Sequence, residues 1–118
     1  MFQVSKIDIP DRDDVKVVYL AGEVDGEAVE NFKTQLNEVF QSTPDVSYYI
    51  FHLKKLDFIN SMVIGYLADI YSQMGKQGKK LILSEGNSHI LDILDLVGFT
   101  NLVDHYDSLR DAISSIDL

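Results

Sequence analysis

At 118 residues the chain has the length of one domain, enough to bury about two thirds of its unfolded surface in a single core. Its 46% hydrophobic and 25% charged content are those of a soluble globular protein, and with no cysteine it has neither disulfides, cysteine-metal sites nor a thiol nucleophile. A net charge of −9 argues against nucleic acid and anionic membranes, which demand clustered Lys and Arg, and suits a basic protein partner.

The apolar runs are too short to span a bilayer, and the first residues, MFQVSKIDIP, lack the charged and apolar regions of a signal peptide. The expectation is a single cytoplasmic domain over residues 1–118, with no membrane insertion.

Phe2, Val4, Ile7 and Ile9 form an irregular period-two pattern, which suits an edge strand. Pro10 to Asp14 reads as a polar turn and Val15 to Leu20 as a second strand returning beside the first, broken at Gly22. Asp25 is positioned to cap a helix whose apolar residues Val29, Phe32, Leu36, Val39 and Phe40 follow three-and-four spacing until Pro44 ends it. Val46 to Leu53 is apolar without alternation around Tyr48, Tyr49, Ile50 and Phe51, as in a central strand covered on both faces.

The stretch LDFINSMVIGYLADIY, Leu56 to Tyr71, carries an apolar run to a turn and continues with helical periodicity. Ile64, Leu67, Ile70, Tyr71 and Met74 make its stripe, and Gly75 and Gly78 stop it. Leu81 to Leu83 is a further buried strand, and Ile90, Leu91, Leu94 and Val97 mark a third helix ending at Gly98. A short strand is expected at Asn101 to Val103 and a last helix through Leu109, Ala112, Ile113 and Ile116. The order β-β-α-β-α-β-α-β-α implies an α/β fold, a mixed sheet with packed helices joined by right-handed crossovers.

Chemistry concentrates at the turn before the second helix. Asn60 is a good N-cap, because its side-chain oxygen can accept from the free N–H groups of the first turn. Ser61 then takes the first helical position, its hydroxyl near solvent and near the positive end of the helix dipole. A phosphate added there would meet backbone donors and bring up to roughly two negative charges. The same geometry is also that of an ordinary capped helix start.

Other readings are weaker. His52, His89 and His105 lie on separate elements without metal-ligand spacing, so neither metal nor cofactor is assigned. Tyr48 and Tyr49 read as sheet packing, and Lys76, Lys79 and Lys80 as a solvated basic turn. Asp13, Asp14 and Asp57 superficially suggest a phosphoacceptor receiver domain, but a receiver's acidic pair follows its first buried strand and this pair precedes Val15 to Leu20. An enzyme with Ser61 as nucleophile lacks the G-x-S-x-G elbow and a local His, and neither a P-loop nor a dinucleotide fingerprint is present.

GEVD at Gly22 to Asp25, DFINSMVIG at Asp57 to Gly65, GKQGKKLIL at Gly75 to Leu83 and LDLVGF at Leu94 to Phe99 together resemble a STAS domain. Within that superfamily the chain most resembles the bacterial anti-sigma-factor antagonists, whose pattern is G-E-[LIV]-D followed by F-[LIVM]-D-S-[ST]-G-[LIV]-G. The resemblance implies a non-enzymatic regulator that binds an anti-sigma factor, itself a GHKL-type serine kinase, and is phosphorylated by it. Phosphorylation ends that binding and a phosphatase, of PP2C type, restores it. By position the phosphoacceptor is Ser61, and Asp25, Asp57, Asn60, Met62 and Val63 join it as expected partner-contact residues.

The chain departs from the pattern in three places. Asn60 stands where Asp is usual, Met62 where a hydroxyl residue is usual and Val63 where Gly is usual. Met62 and Val63 are either an apolar docking patch or part of the core. A STAS scaffold without phosphorylation, or a subunit of a lipid-transport complex, is the alternative reading.

Overall fold

Strand alternation sorts the apolar residues onto two faces. In the computed structural model, which describes residues 1–117, the elements are β1 (Phe2–Ile9), β2 (Arg12–Val24), α1 (Val29–Gln41), β3 (Tyr48–Ile59), α2 (Ser61–Lys76), β4 (Lys80–Ser84), α3 (Ser88–Leu96), β5 (Asp104–Tyr106) and α4 (Leu109–Ser115). The five strands lie in the order β1-β2-β3-β4-β5, with β1 antiparallel to β2 and the remaining pairs parallel. The observed element order is the expected one.

Val18 and Leu20 of β2, Tyr49, Phe51 and Leu53 of β3, and Leu81 and Leu83 of β4 face α1, α2 and α3 in the larger core. The intervening Val15, Val17, Ile50 and Ile82 face the opposite way, under Ala112 of α4. The two hydroxyls that enter the larger core side satisfy each other: Tyr49 Oη lies 2.6 Å from Thr43 Oγ1 and donates to the Thr43 carbonyl at 3.0 Å.

Several boundaries differ from the expectation, each for a local reason. Gly22 does not break β2. It sits at φ +85 where the register against β3 shifts, and a Cβ there would lie 2.3 Å from the Met1 carbonyl oxygen, which accepts from Glu23 N at 2.8 Å. Glycine is therefore required by backbone conformation and close approach. β3 runs on to Ile59 rather than stopping at Leu53, because its outer half still pairs with the extended end of β2.

Asp25 does not cap α1 itself. Ala28 holds the N-cap position, and Asp25 closes the preceding turn, its Oδ1 accepting from Ala28 N at 3.0 Å. Gly75 lies inside α2, and the stop is a Schellman arrangement at Gly78 (φ +72), with Lys79 N donating to Met74 O and Gly78 N to Gly75 O. The α2 stripe is Val63, Leu67, Ile70 and Met74, while Tyr71 is exposed. The short strand expected at Asn101 to Val103 is Asp104–Tyr106 instead. Gly98 turns left-handed, Phe99 anchors a 3₁₀ turn over Phe99–Asn101, and the chain reaches the sheet edge only afterwards.

Candidate functional site

Parallel pairing of β2 with β3 brings the GEVD and DFINS segments side by side. Glu23 is in register with Phe58 and Val24 with Ile59, and Asn60 N donates to the Val24 carbonyl at 2.8 Å. Both strands leave the sheet at the same edge, β2 into the Asp25 turn and β3 into α2.

Asn60 adopts extended backbone (φ −71, ψ 151) and its Oδ1 accepts from Met62 N at 2.9 Å, an N-cap as expected. Gly26 packs beneath it: a Cβ on Gly26 would lie 3.5 Å from Asn60 Nδ2. Ser61 is the first residue of α2 and is exposed, and its hydroxyl makes no hydrogen bond among the described residues. It is a primary alcohol at the positive end of a 16-residue helix, held by a rigid cap and accessible from solvent.

The two residues after Ser61 part company. Met62 is 55% exposed, while Val63 is 1% exposed and packs in the core with Leu67 and Leu83. The choice between docking patch and core thus divides by residue: Val63 is core, and Met62 alone of the pair presents its side chain to solvent. Asp25 and Asp57 are both exposed, and with Glu23 and Glu27 they make the surface around the turn acidic.

Phe58 was not among the expected site residues. It is exposed beside Asp57 and stacks on the imidazole of His89 from α3, with ring centroids 6.4 Å apart and planes 14° apart. Asn87, the N-cap of α3, holds that helix in place by donating from Nδ2 to the Leu56 carbonyl at 3.1 Å and accepting from Ile90 N. Neither contact carries a sequence signal, because both depend on how α3 approaches the outer end of β3.

The remaining titratable groups belong elsewhere. His52 is buried on β3, its Nδ1 2.8 Å from Ser84 Oγ and 4.0 Å from a Glu85 carboxylate oxygen; burial holds its pKa below the usual histidine value, the Glu85 charge opposing that shift. Tyr66 on α2 donates to Asn37 Oδ1 at 2.9 Å and burial pushes its phenol up to about 12. His105 Nε2 lies 2.7 Å from the Glu85 carbonyl. Among the described residues no three His, Asp or Glu side chains converge as metal ligands, and no helix is long and apolar enough to cross a membrane.

A mixed sheet whose β3 delivers an exposed serine to the capped start of a helix, beside an acidic turn, defines an α/β module of one sheet and packed helices. The STAS domain profile matches residues 6–112, and the chain belongs to that family. A curated relative, the anti-sigma F factor antagonist of Paenibacillus polymyxa, is 23% identical over 104 residues, covering 88% of each chain. The crystal structure of an anti-sigma factor antagonist from Mycobacterium paratuberculosis superposes with a TM-score of 0.84 at 19% identity, covering 100% of this chain and 96% of that one. The unphosphorylated form of the anti-sigma factor antagonist SpoIIAA superposes with a TM-score of 0.75, also at 19% identity, over 99% and 96% of the two chains. These likenesses extend over nearly the whole fold.

Proposed function

We propose that this chain is an anti-sigma-factor antagonist that works by partner switching. Unphosphorylated, it binds an anti-sigma factor that is also a GHKL-type serine kinase. Transfer of the ATP γ-phosphoryl group to Ser61 Oγ ends that binding, and a PP2C-type phosphatase restores it. The chain is the substrate of this chemistry and supplies no catalytic group.

One observation carries the reading: the Ser61 hydroxyl is exposed and uncommitted at the rigidly capped start of α2. A kinase active site can reach it without unfolding the helix. Phosphorylation would add roughly two negative charges to an already acidic surface, and in a closed interface that charge incurs desolvation and like-charge repulsion. Asp25 and Asp57 at the rim, Asn60 as the cap and Met62 as the apolar contact complete the surface, while Val63 supports it from the core. The relatives point the same way, since one of the similar solved structures is the phosphorylated form of the Bacillus cell fate determinant SpoIIAA.

The test is incubation of the purified protein with ATP and each GHKL-type kinase encoded by its source genome, followed by peptide mass spectrometry and binding measurements. The expected result is a single phosphate on Ser61, absent in Ser61→Ala, with Ser61→Ala retaining kinase binding and the phosphoserine form losing it. Binding without phosphorylation would replace the switch with a constitutive scaffold. Equal affinity of the phosphorylated and unphosphorylated forms would overturn the mechanism outright.

A further inference from the structure

The fold changes sides between β4 and β5. β4 leads into α3, whose Ile90 and Leu94 pack in the larger core, whereas β5 leads into α4, whose Ala112 packs on the opposite face of the sheet. The two strands are parallel neighbours, so their outgoing segments part to opposite faces at the strands' C-terminal ends. Open α/β sheets bind small ligands in the crevice at such a point. A cavity of about 220 Å³ lies here, with Lys54, Glu85, Asn87, Leu91, His105 and Asp107 on its walls. Lys54 comes from β3, which runs on to Ile59 although its pairing with β4 ends at His52 and Ser84.

Glu85 makes the crevice rigid. Its backbone is left-handed at φ +59, which a residue with a Cβ rarely adopts. Three hydrogen bonds hold it there: its N donates to the Tyr106 carbonyl at 2.8 Å, its carbonyl accepts from His105 Nε2 at 2.7 Å, and its carboxylate accepts from Leu109 N at 3.1 Å. Because a carbonyl only accepts, His105 carries a proton on Nε2, and Nδ1 is the acceptor of the neutral ring.

Glu85 is thus committed, and what remains free is one charge of each sign. Lys54 and Asp107 are both exposed, and neither side chain makes a hydrogen bond or ion pair among the described residues. Asn87 is the N-cap of the nine-residue α3, so the positive end of that helix adds to the Lys54 charge. The cavity is smaller than the roughly 300–1,000 Å³ of pockets for drug-sized ligands, which limits the occupant to a small metabolite. The Asp107 and Glu85 carboxylates oppose a phosphate or a nucleotide, and no three His, Asp or Glu side chains among the described residues converge on a metal. A simple amine would leave Lys54 unpaired, and a simple carboxylate would leave Asp107 unpaired.

We propose that this crevice binds a free α-amino acid. Its carboxylate meets Lys54, its ammonium meets Asp107 and His105 Nδ1, and a short side chain lies against the half-buried Leu91. Neither a kinase nor a phosphate on Ser61 takes part, so this binding stands or falls apart from partner switching.

Titration of the full chain with glycine, L-alanine and L-serine, followed by amide chemical shifts in ¹⁵N NMR, tests this. The expected result is saturable shifts at Lys54, Glu85 to Asn87, His105 and Asp107, with ethylamine and propionate binding about tenfold more weakly than L-alanine. Lys54→Met is expected to remove the preference for L-alanine over ethylamine, and Asp107→Asn the preference for L-alanine over propionate. Both residues are exposed, and the spectra themselves report whether each variant is folded. Absence of saturable shifts with all three amino acids would overturn the proposal. So would affinities unchanged by both substitutions, or inorganic phosphate binding the crevice more tightly than L-alanine.

Discussion

The Asn60 amide donates to the Val24 carbonyl at 2.8 Å, and that one bond joins the end of β3 to the end of β2 where the two turns leave the sheet. It continues the β2–β3 ladder past Ile59 and fixes the azimuth at which α2 departs. The Asn60 side chain then sets the helix start, so backbone and side chain of one residue position Ser61 from two directions.

Asn60→Ala removes the cap while keeping the backbone bond. The expected loss is about 1 kcal/mol, read as a fall of a few degrees in melting temperature by calorimetry. Asn60→Asp keeps the acceptor and adds a negative charge at the helix N-terminus, so its stability is expected to equal or exceed the wild type.

Met62 and Val63 are expected to separate stability from binding. Val63→Ala costs about 2 kcal/mol in urea denaturation through lost burial and a cavity. Met62→Ser is expected to stay within about 0.5 kcal/mol of wild type because the side chain is exposed. If Met62 is the apolar contact, Met62→Ser weakens kinase binding in the same calorimeter that finds its folding unchanged. Unchanged affinity would remove it from the interface.

Gly22→Ala is expected to destabilise strongly, by about 1–3 kcal/mol for the strained backbone alone. The clash with the Met1 carbonyl adds to that, because the obstructing atom is backbone and not a flexible side-chain end. A denaturation midpoint equal to wild type would mean that β1 shifts to make room.

His52 gives stability a defined pH dependence. Its folded pKa lies below the ordinary value because burial opposes the charged form. The unfolded chain therefore binds the proton first, and stability falls as pH drops from about 6.5 through the lowered folded value. His52→Gln is expected to flatten that part of the profile between neutral and mildly acidic pH. Urea midpoints measured at both ends of the window check it, and an identical slope in wild type and variant would rule His52 out as the cause.

Local chemistry was legible in the sequence and tertiary approach was not. The Asn60–Ser61 start could be read directly, since capping depends on residues within one turn. Whether Val63 faced core or solvent could not, because its direction depends on where β3 releases the chain, and β3 runs six residues beyond the expected Leu53 to Ile59. The Phe58–His89 stack joins elements far apart in the chain, and no periodicity announces it. β5 begins later than its sequence suggests for a different reason: a strand of three residues has too few positions to show alternation, and the left-handed Gly98 with the Phe99 anchor decides where it begins.

The division between Met62 and Val63 bears on how related circuits stay insulated. Discrimination between a cognate and a non-cognate kinase is a difference of affinities, improved as readily by obstructing the wrong partner as by favouring the right one. Position 62 can be exchanged for a bulkier, smaller or charged side chain at little cost to folding, whereas its neighbour is held by the core. A duplicated copy of such a chain thus has, one residue from its phosphoacceptor, a place where orthogonality can evolve in single steps without a stability penalty.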